Sequence, residues 1–467
     1  MTYQELERIR RKWYDENLPY KMTFWSEFDY AALDRILVRR RTSHTDEKTY
    51  SDCLIMADTE TSKKAAVFRT VSTKEKNYPI HENHVVAWTI SIRAFGRNLV
   101  TLWGRKPSEM IDAIERIHGY LPGDFTIIYF HNLAYDYVFL RKFFFRSWGE
   151  PDSELATKPH YPIMIRWEAG LILKDSLILA QRSIEKWAKD MDVEHQKAVG
   201  FWDYDKQRSQ QEDFTPEELE YIEHDTLAGV ECLDALRIAL DKNIVTMPYT
   251  ATGIPRNEVR KRGKPARARD FFTRTVMSFE DYVLCEQVYH GGYTHANRHE
   301  VGYVHQATCF DFASSYPYVL LSEKYPMERF TQLSNKSAKW ILQYAAEYAF
   351  MFRFIVRNIR LKDRMEPMPV LQFSQCEKTV NAVVDNGRIL AADLVIISLN
   401  EIDLELIVSQ YRFTAHICTD VRMAVKKYLP RYLTDYIFQC FEEKTKLKGG
   451  DPVSYALAKS RLNSVYG

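Results

Sequence analysis

The chain holds 467 residues, which at roughly 150 residues per domain predicts about three domains. Hydrophobic residues at 46% and aromatics at 13% supply a large buried core and exclude wholesale disorder. Lys and Arg (64) balance Asp and Glu (63) to a formal charge of +1, which excludes a uniformly basic coat but permits a basic channel beside an acidic site. No apolar run approaches the ~18 residues of a membrane span, so no membrane association is expected. The first twenty residues, rich in Arg, Lys and Glu, carry no apolar signal core. Seven scattered cysteines form no CxxC pair, which points to a reducing compartment and no zinc site.

Residues 1–50 predict an amphipathic helical extension followed by a basic run, Arg39-Arg40-Arg41. From residue 52 to about 241, short apolar strands (53–57, 84–92, 99–103, 126–130) alternate with helices, the pattern of an α/β domain with a mixed sheet. The clearest helix starts at Thr215-Pro216-Glu217-Glu218, with Thr215 as N-cap, Pro216 at the first position and Glu218 closing a capping box. Leu219, Ile222, Val230 and Leu233 give it an apolar face. Residues 255–269 carry seven basic side chains against Glu258. Composition favours a solvated linker there, with a phosphate-contacting connector as the other reading. Strand-like segments return at 301–312, 350–356 and 394–399, and residues 421–466 read as mostly helical.

Four acids stand out within the α/β domain. Asp58-Thr59-Glu60 follows an apolar strand, and side chains at i and i+2 of a strand share a face. Asn132-Leu-Ala-Tyr-Asp136 follows the strand 126–130. Tyr221-Ile-Glu-His-Asp225 lies on the capped helix, with Tyr221 and Asp225 on one face, away from the apolar stripe. Each alone reads as an ordinary solvated pair. Together, Asp58, Glu60, Asp136 and Asp225 would repel one another prohibitively unless cations joined them. Two divalent cations ~4 Å apart resolve that repulsion and suit phosphodiester cleavage. Hard oxygen ligands select Mg²⁺ or Mn²⁺.

The order Asp-x-Glu, Asn-x-x-x-Asp, Tyr-x-x-x-Asp resembles the three exonuclease motifs of proofreading DNA polymerases, and within them the protein-primed family B polymerases of bacteriophages and linear plasmids. That resemblance implies a 3′→5′ exonuclease on a ribonuclease H-like fold. It also implies that Thr61 and Asn132 hold the frayed primer end, that Tyr135 stacks on it, and that Ser176 and Leu177 belong to a single-strand-binding segment. Lys197 matches a catalytic lysine, Tyr204 a DNA-contacting tyrosine, and Tyr221 a residue orienting the attacking water.

A second set of motifs follows. Tyr289-His-Gly-Gly292 reads as a hairpin turn or, by resemblance, as the Tyr-x-Gly-Gly segment that touches the template, where Gly291 and Gly292 let the backbone approach phosphates. Phe310-Asp-Phe-Ala-Ser-Ser-Tyr-Pro317 resembles polymerase motif A: a strand would deliver Asp311 to the metals, the Phe312 carbonyl would join them, and Tyr316 would exclude a ribose 2′-hydroxyl. Lys459-Ser-Arg-Leu-Asn463-Ser-Val-Tyr466 resembles motif B, with Lys459, Asn463 and Tyr466 on one helical stripe against the nucleotide. Lys444 is a second triphosphate candidate.

The implied organisation is an N-terminal extension (1–50), an exonuclease domain (51–245), a basic linker with the Tyr-x-Gly-Gly segment (246–300), a palm portion with motif A (301–327), an insertion resembling the terminal-protein region (328–424) and fingers with motif B (425–467). Motif C, which would supply the second polymerase acid, does not occur in the sequence. A partial gene record, an interrupted gene, or a split enzyme completed by a C-terminal fragment would each account for that. The resemblance implies two Mg²⁺ or Mn²⁺ ions per active site. The partners it implies are primer-template and single-stranded DNA, dNTPs and a terminal protein primer. It also implies a cytoplasmic location, that of the host if the chain is phage-encoded. Two further readings stay open: a metal-dependent exonuclease whose C-terminal half only binds DNA, and an inactive binding remnant.

Overall fold

Runs of β-branched and aromatic residues in the first half of the chain pair into one eight-stranded mixed sheet. The computed structural model describes residues 8, 12, 19–42, 48–63, 67–70, 77–80, 83–197, 202–203, 206–300, 302 and 306–465. They divide into two compact units, Met1–Arg256 with Glu442–Gly467, and Asn257–Phe441.

The sheet of the first unit consists of β1 (Met22–Phe24), β2 (Leu54–Lys63), β3 (Asn83–Ala94), β4 (Arg97–Gly104), β5 (Thr126–Phe130), β6 (Ser153–Ala156), β7 (Pro162–Arg166) and β8 (Leu171–Asp175). Their spatial order is β1-β4-β3-β2-β5-β8-β7-β6. β2 runs parallel to β5 (Met56 opposite Tyr129, Ala57 opposite Phe130), and β5 runs parallel to β8. The carboxyl ends of these three central strands therefore lie side by side, where open α/β sheets build their sites.

Both faces of the sheet are covered. Helices α1 (Ala31–Ile36), α2 (Pro107–Tyr120) and α3 (Leu133–Trp148) contribute Leu33, Ile36, Met110, Ile114, Leu140 and Phe144 to one core. On the other face, α4 (Ile184–Met191) and α5 (Pro216–Ala239) pack Trp187, Met191, Val230 and Leu233 against Leu54, Met56 and Tyr129. β5 is buried at every residue, which explains why its sequence is continuously apolar instead of alternating.

The predicted start of α5 is present: the Thr215 hydroxyl accepts from Glu218 N (3.2 Å), and the Glu218 carboxylate accepts from Thr215 N (3.1 Å). Its burial differs from the expected single stripe. Tyr221 and Asp225 are buried along with Ile222, Ala228 and Cys232, because the helix is enclosed by the sheet and by loops on more than one side.

The expected helical extension over residues 1–50 is not what the described part of that segment forms. Residues 22–24 add a parallel edge strand to β4, Arg39–Arg41 pairs with Thr49–Ser51, and Tyr30, Leu33, Ile36 and Leu37 are core residues. The short α1 brings its apolar side chains in by tertiary packing that no helical period in the sequence announces.

After α6 (Gly253–Gly263), α7 (Ala268–Arg274), α8 (Phe279–Val288) and α9 (Ser315–Ser322), the second unit is organised by three long strands, β9 (Tyr348–Leu361), β10 (Arg388–Asn400) and β11 (Ala415–Lys427). All three pair antiparallel around Phe352, Phe354, Val356, Val395 and Ile397. Short strands at Tyr325–Pro326, Thr331–Gln332, Lys378–Val380, Val383–Asp385 and Tyr411–Arg412 edge the sheet. α10 (Glu401–Gln410) is capped by Asn400, whose side chain accepts from Ile402 N and Asp403 N at 2.9 Å.

Two expectations fail in this half. The helical reading from residue 421 is displaced, because 421–427 belong to β11 and helix resumes only at α11 (Arg431–Leu447) and α12 (Pro452–Asn463). The strand expected over 301–312 is not formed by its described residues: 306–312 have no ladder partner and are exposed. A strand is stable only where a neighbour takes its backbone hydrogen bonds. Among the described residues, no helix is long and apolar enough to cross a membrane.

The buried packing of α1 predicts that Ile36→Ala, a cavity-forming change at a fully buried site, costs about 2–5 kcal/mol. Calorimetry should show the melting temperature fall by about 5–15 °C; an unchanged profile would mean that residues 30–37 are not part of the folded core.

Candidate active site

Asp58 and Glu60 lie on β2, one pleat apart on the same face, just before a register shift between Glu60 and Thr61 opposite β3. The strand continues through the pair to Lys63, so the acids sit within the ladder to β3 and not after the strand as the sequence suggested. α5 crosses that face and delivers Asp225. One carboxylate oxygen from each of Asp58, Glu60 and Asp225 lies within 4.8 Å of the others. Asp136, in the first turn of α3, is buried beside them, and its Oδ1 accepts from Thr59 N (3.0 Å) and Thr59 Oγ1 (2.6 Å).

The electrostatics follow from this crowding. Burial, then the charges of Asp136, Glu60 and Asp225, raise the Asp58 carboxyl well above its ordinary range. Burial, then Asp225, pushes Glu60 up to about 8, against the pull of Lys197. Asp136 rises to about 7 through burial, and its bonds from Thr59 hold it back. Asp225 is also raised by burial, opposed by Lys197. Lys197 Nζ stands 3.0 Å from Asp225 Oδ2 and 5.3 Å from the Tyr221 ring. The other oxygen, Asp225 Oδ1, is buried with no hydrogen-bond partner. A bare buried carboxylate oxygen among two more carboxylates is a cation ligand set in its chemistry, and the residues fit a divalent metal.

The elements around the cluster fix it. Tyr221, whose hydroxyl bonds the Asp225 carboxylate, is stacked on Trp202 at 5.5 Å. Trp202 lies under the Arg208 guanidinium (4.1 Å), which makes a buried ion pair with Glu218 (2.8 Å). The residues just before Lys197 are bolted to α5 at two points. Glu231 accepts from His195 N (3.0 Å) and Nδ1 (2.7 Å), and His224 Nδ1 donates to the Gln196 carbonyl (3.0 Å). The hydrogen bond to Glu231 raises the His195 pKa.

The expected primer-end residues surround this centre. Thr61 Oγ1 and the Tyr135 hydroxyl are 2.6 Å apart, and Tyr135 is 43% exposed. Asn132 adopts a left-handed conformation (φ 79°), and its N–H donates to Asp175 (3.2 Å), which also accepts from Leu177 N (2.7 Å). Ser176 is fully buried: its hydroxyl donates to the Phe130 carbonyl (3.1 Å) and meets His131 Nδ1 (3.0 Å). Burial lowers the His131 pKa to about 4, so this support stays neutral. Tyr204 lies outside the described residues, as does Tyr466.

In the second unit, Asp311 and Phe312 lie on the exposed stretch before α9, and Tyr316, in its first turn, is exposed. Tyr289 is the exposed C-cap of α8, and the Gly-Gly hairpin does not form, since the described residues 289–298 have no regular structure. A Cβ added at Gly291 or Gly292 would meet nothing within 4 Å, so packing inside the chain does not demand glycine there. Lys444 is half-buried on α11, and Lys459 and Asn463 are exposed on α12. All three belong to the first unit. Asp311 joins no metal-competent cluster among the described residues.

The sequence did not single out Thr59, Asp175, Glu231, His195, His224 or the Arg208–Glu218 pair. Thr59 sits between two named acids, and its outward register on β2 was the available signal; the rest are joined only in three dimensions.

No curated protein matches this chain. Among solved structures, Phi29 DNA polymerase complexed with single-stranded DNA is similar at TM-score 0.65 and 18% identity, over 89% of this chain and 67% of that one. Phi29 DNA polymerase in a ternary complex with primer-template DNA and incoming nucleotides gives TM-score 0.60 and 19% identity, over 89% and 68%. Its orthorhombic crystal form gives 0.62 and 17%, over 89% and 67%. At such identities the likeness is one of fold, over about two thirds of that polymerase's length. The family described as DNA polymerase type B, organellar and viral, matches residues 200–467, more than half of the sequence, and the chain belongs to that family.

Proposed function

We propose that the first unit is a 3′→5′ proofreading exonuclease and that the chain works in protein-primed DNA synthesis. The observation that carries the exonuclease reading is the convergence of Asp58, Glu60 and Asp225 within 4.8 Å around the unpartnered Asp225 Oδ1, with Asp136 beside them. These residues would hold Mg²⁺ or Mn²⁺. Two such ions, when bound, supply an activated water and stabilise the leaving oxygen of a phosphodiester.

The remaining work falls to this chain's own groups. The Lys197 ammonium offers charge to the scissile phosphate beside Asp225. Tyr221, wedged by Trp202, fixes the Asp225 carboxylate. Tyr135, half-exposed and tied to Thr61, is available for stacking on an unpaired terminal base. Excision on this reading needs a melted end, so single strands are the preferred substrate.

For synthesis we assign Asp311 and the Phe312 carbonyl to metal binding, Tyr316 to sugar selection, and Lys444, Lys459, Asn463 and Tyr466 to the incoming nucleotide. The open space over Gly291 and Gly292 supports a close approach of DNA to that backbone. Membership of the type B family supports dNTPs and primer-template DNA as substrates; a terminal protein as primer rests on the resemblance of the motifs. A second reading, a nuclease whose C-terminal half binds DNA without catalysis, is favoured by one observation: Asp311 joins no acidic cluster among the described residues. Incorporation of dNTPs by the chain complemented with a C-terminal polymerase fragment, lost in Asp311→Ala, would exclude it.

The primary test is Mg²⁺-dependent degradation of a 5′-labelled single strand. Asp58→Ala or Asp225→Ala removes a metal ligand worth several kcal/mol of transition-state stabilisation, a loss of at least about 10²-fold. Native-like rates in either variant, or equal cutting of single strands and duplexes, would contradict the assignment.

The raised carboxyls give a pH signature. Their folded pKa values exceed the unfolded ones, so between about pH 4 and 8 the folded state holds more protons than the unfolded, and metal-free stability falls as pH rises. Mg²⁺ binds the ionised forms, so its stabilising shift in melting temperature should be larger at pH 8.5 than at pH 6. An equal or reversed shift would locate Mg²⁺ elsewhere.

The Glu231–His195 attachment predicts coupling. Glu231→Gln should slow excision about tenfold, 1.4 kcal/mol in transition-state stabilisation, but leave the residual rate of Lys197→Ala unchanged. Additive losses in the double variant would show that Glu231 does not act through Lys197.

A further inference from the structure

The basic segment that composition alone assigned to a solvated linker is divided by role in the structure. Between residues 257 and 276 there are seven basic side chains and two acids, Glu258 and Asp270. Three of the seven have partners. Lys261 pairs with Glu258 (3.1 Å), Arg262 bonds Gln439 (2.6 Å) and covers the Tyr436 ring (5.0 Å), and Arg274 returns to the Asp270 carbonyl (3.3 Å).

The other four, Arg260, Lys264, Arg267 and Arg269, are exposed, and their side chains make no ion pair or hydrogen bond among the described residues. All four line one cavity of about 620 Å³ beside α6 and α7. Its apolar part includes Phe272 and Val276, which are 48% and 59% exposed.

Four uncompensated cations around one cavity raise a positive potential that favours a multivalent anion, which displaces several monovalent counterions at once. An exposed aromatic ring in the same wall adds a flat apolar contact. A chain of phosphates with unpaired bases presents both features at that spacing, whereas a duplex keeps its base faces stacked inside. An acidic polypeptide would meet the charges but has no planar group for Phe272. We propose that this cavity is a binding track for single-stranded DNA, sharing no residue with the acidic centre or with the polymerase motifs. Phosphates would lie against the four cations and a base against Phe272.

The test uses the full chain and a fluorescent (dT)20 probe in EDTA, which prevents degradation. Each phosphate contact contributes about −0.7 to the slope of log affinity against log salt for a single strand. Neutralising the four cations together (Arg260→Gln, Lys264→Gln, Arg267→Gln, Arg269→Gln) should flatten that slope by about 3 and weaken binding at least about tenfold at 0.1 M salt. Phe272→Ala should weaken binding with the slope unchanged. The charge-keeping variant Arg260→Lys, Arg267→Lys, Arg269→Lys should retain the native slope, which separates lost charge from a damaged fold. Affinity and slope within twofold of native in the neutralised chain would overturn the proposal. So would loss of slope in the charge-keeping variant, or polyglutamate competing as well as unlabelled (dT)20.

Discussion

Mutual repulsion among buried carboxylates governs the first unit. Asp58, Glu60 and Asp225 bring oxygens within 4.8 Å of each other in largely buried surroundings, and Asp136 adds a fourth acid beside Asp58. Left alone, such a group lowers its energy by keeping protons, which is the direction in which all four carboxyls are displaced. The arrangement persists because each acid is held by something that does not depend on charge. β2 is laddered on both sides, α5 is capped and enclosed, and α3 begins from the end of a fully buried strand. Rigid secondary structure stores the repulsion, and a cation can then release it.

The surroundings of the acids follow from the same constraint. Thr59 on β2 donates twice to Asp136, so one strand presents two acids on one face and restrains a third from the other. Glu231 and His224 flank Asp225 on α5 and hold His195 and Gln196, next to Lys197, the cation that stands 3.0 Å from Asp225. The Arg208–Glu218 pair sits at the start of the same helix under Trp202. α5 therefore carries an acid of the centre, the tyrosine that contacts it, and the groups that hold His195, Gln196 and Arg208. A buried ion pair contributes little net stability by itself; its value here is that it fixes the ring on which Tyr221 stacks.

Much of this was legible in the sequence, and the reason is local. Asp58 and Glu60 share a face by the two-residue period of a strand. Thr215 and Glu218 mark a helix start by hydrogen bonds three residues apart. The alternation of strands and helices between residues 52 and 241 specifies an α/β class. The supports were not legible, because Glu231 reaches His195 across 36 positions and Thr59 reaches Asp136 across 77, distances over which no periodicity carries information. Residues 1–50 were misread for a related reason: α1 is six residues long, too short for a helical period to be read, and its apolar side chains are explained only by the sheet they cover.

The segment around Asp311 shows the complementary limit. Its motif specifies chemistry through residue identity, but a strand exists only if neighbouring backbone accepts and donates its hydrogen bonds. In the described structure, residues 306–312 have no such neighbour, and Phe310 and Phe312 stand 89% and 85% exposed. Two large aromatic rings in water, flanking an aspartate, represent apolar surface whose burial would be worth about 1.5–3 kcal/mol each. Local sequence therefore sets the residue identities around Asp311 but not a strand conformation there, because that conformation is a property of a sheet and not of a strand. The acidic centre differs because β2 is paired with β3 through Asp58 and Glu60, so there motif and geometry coincide.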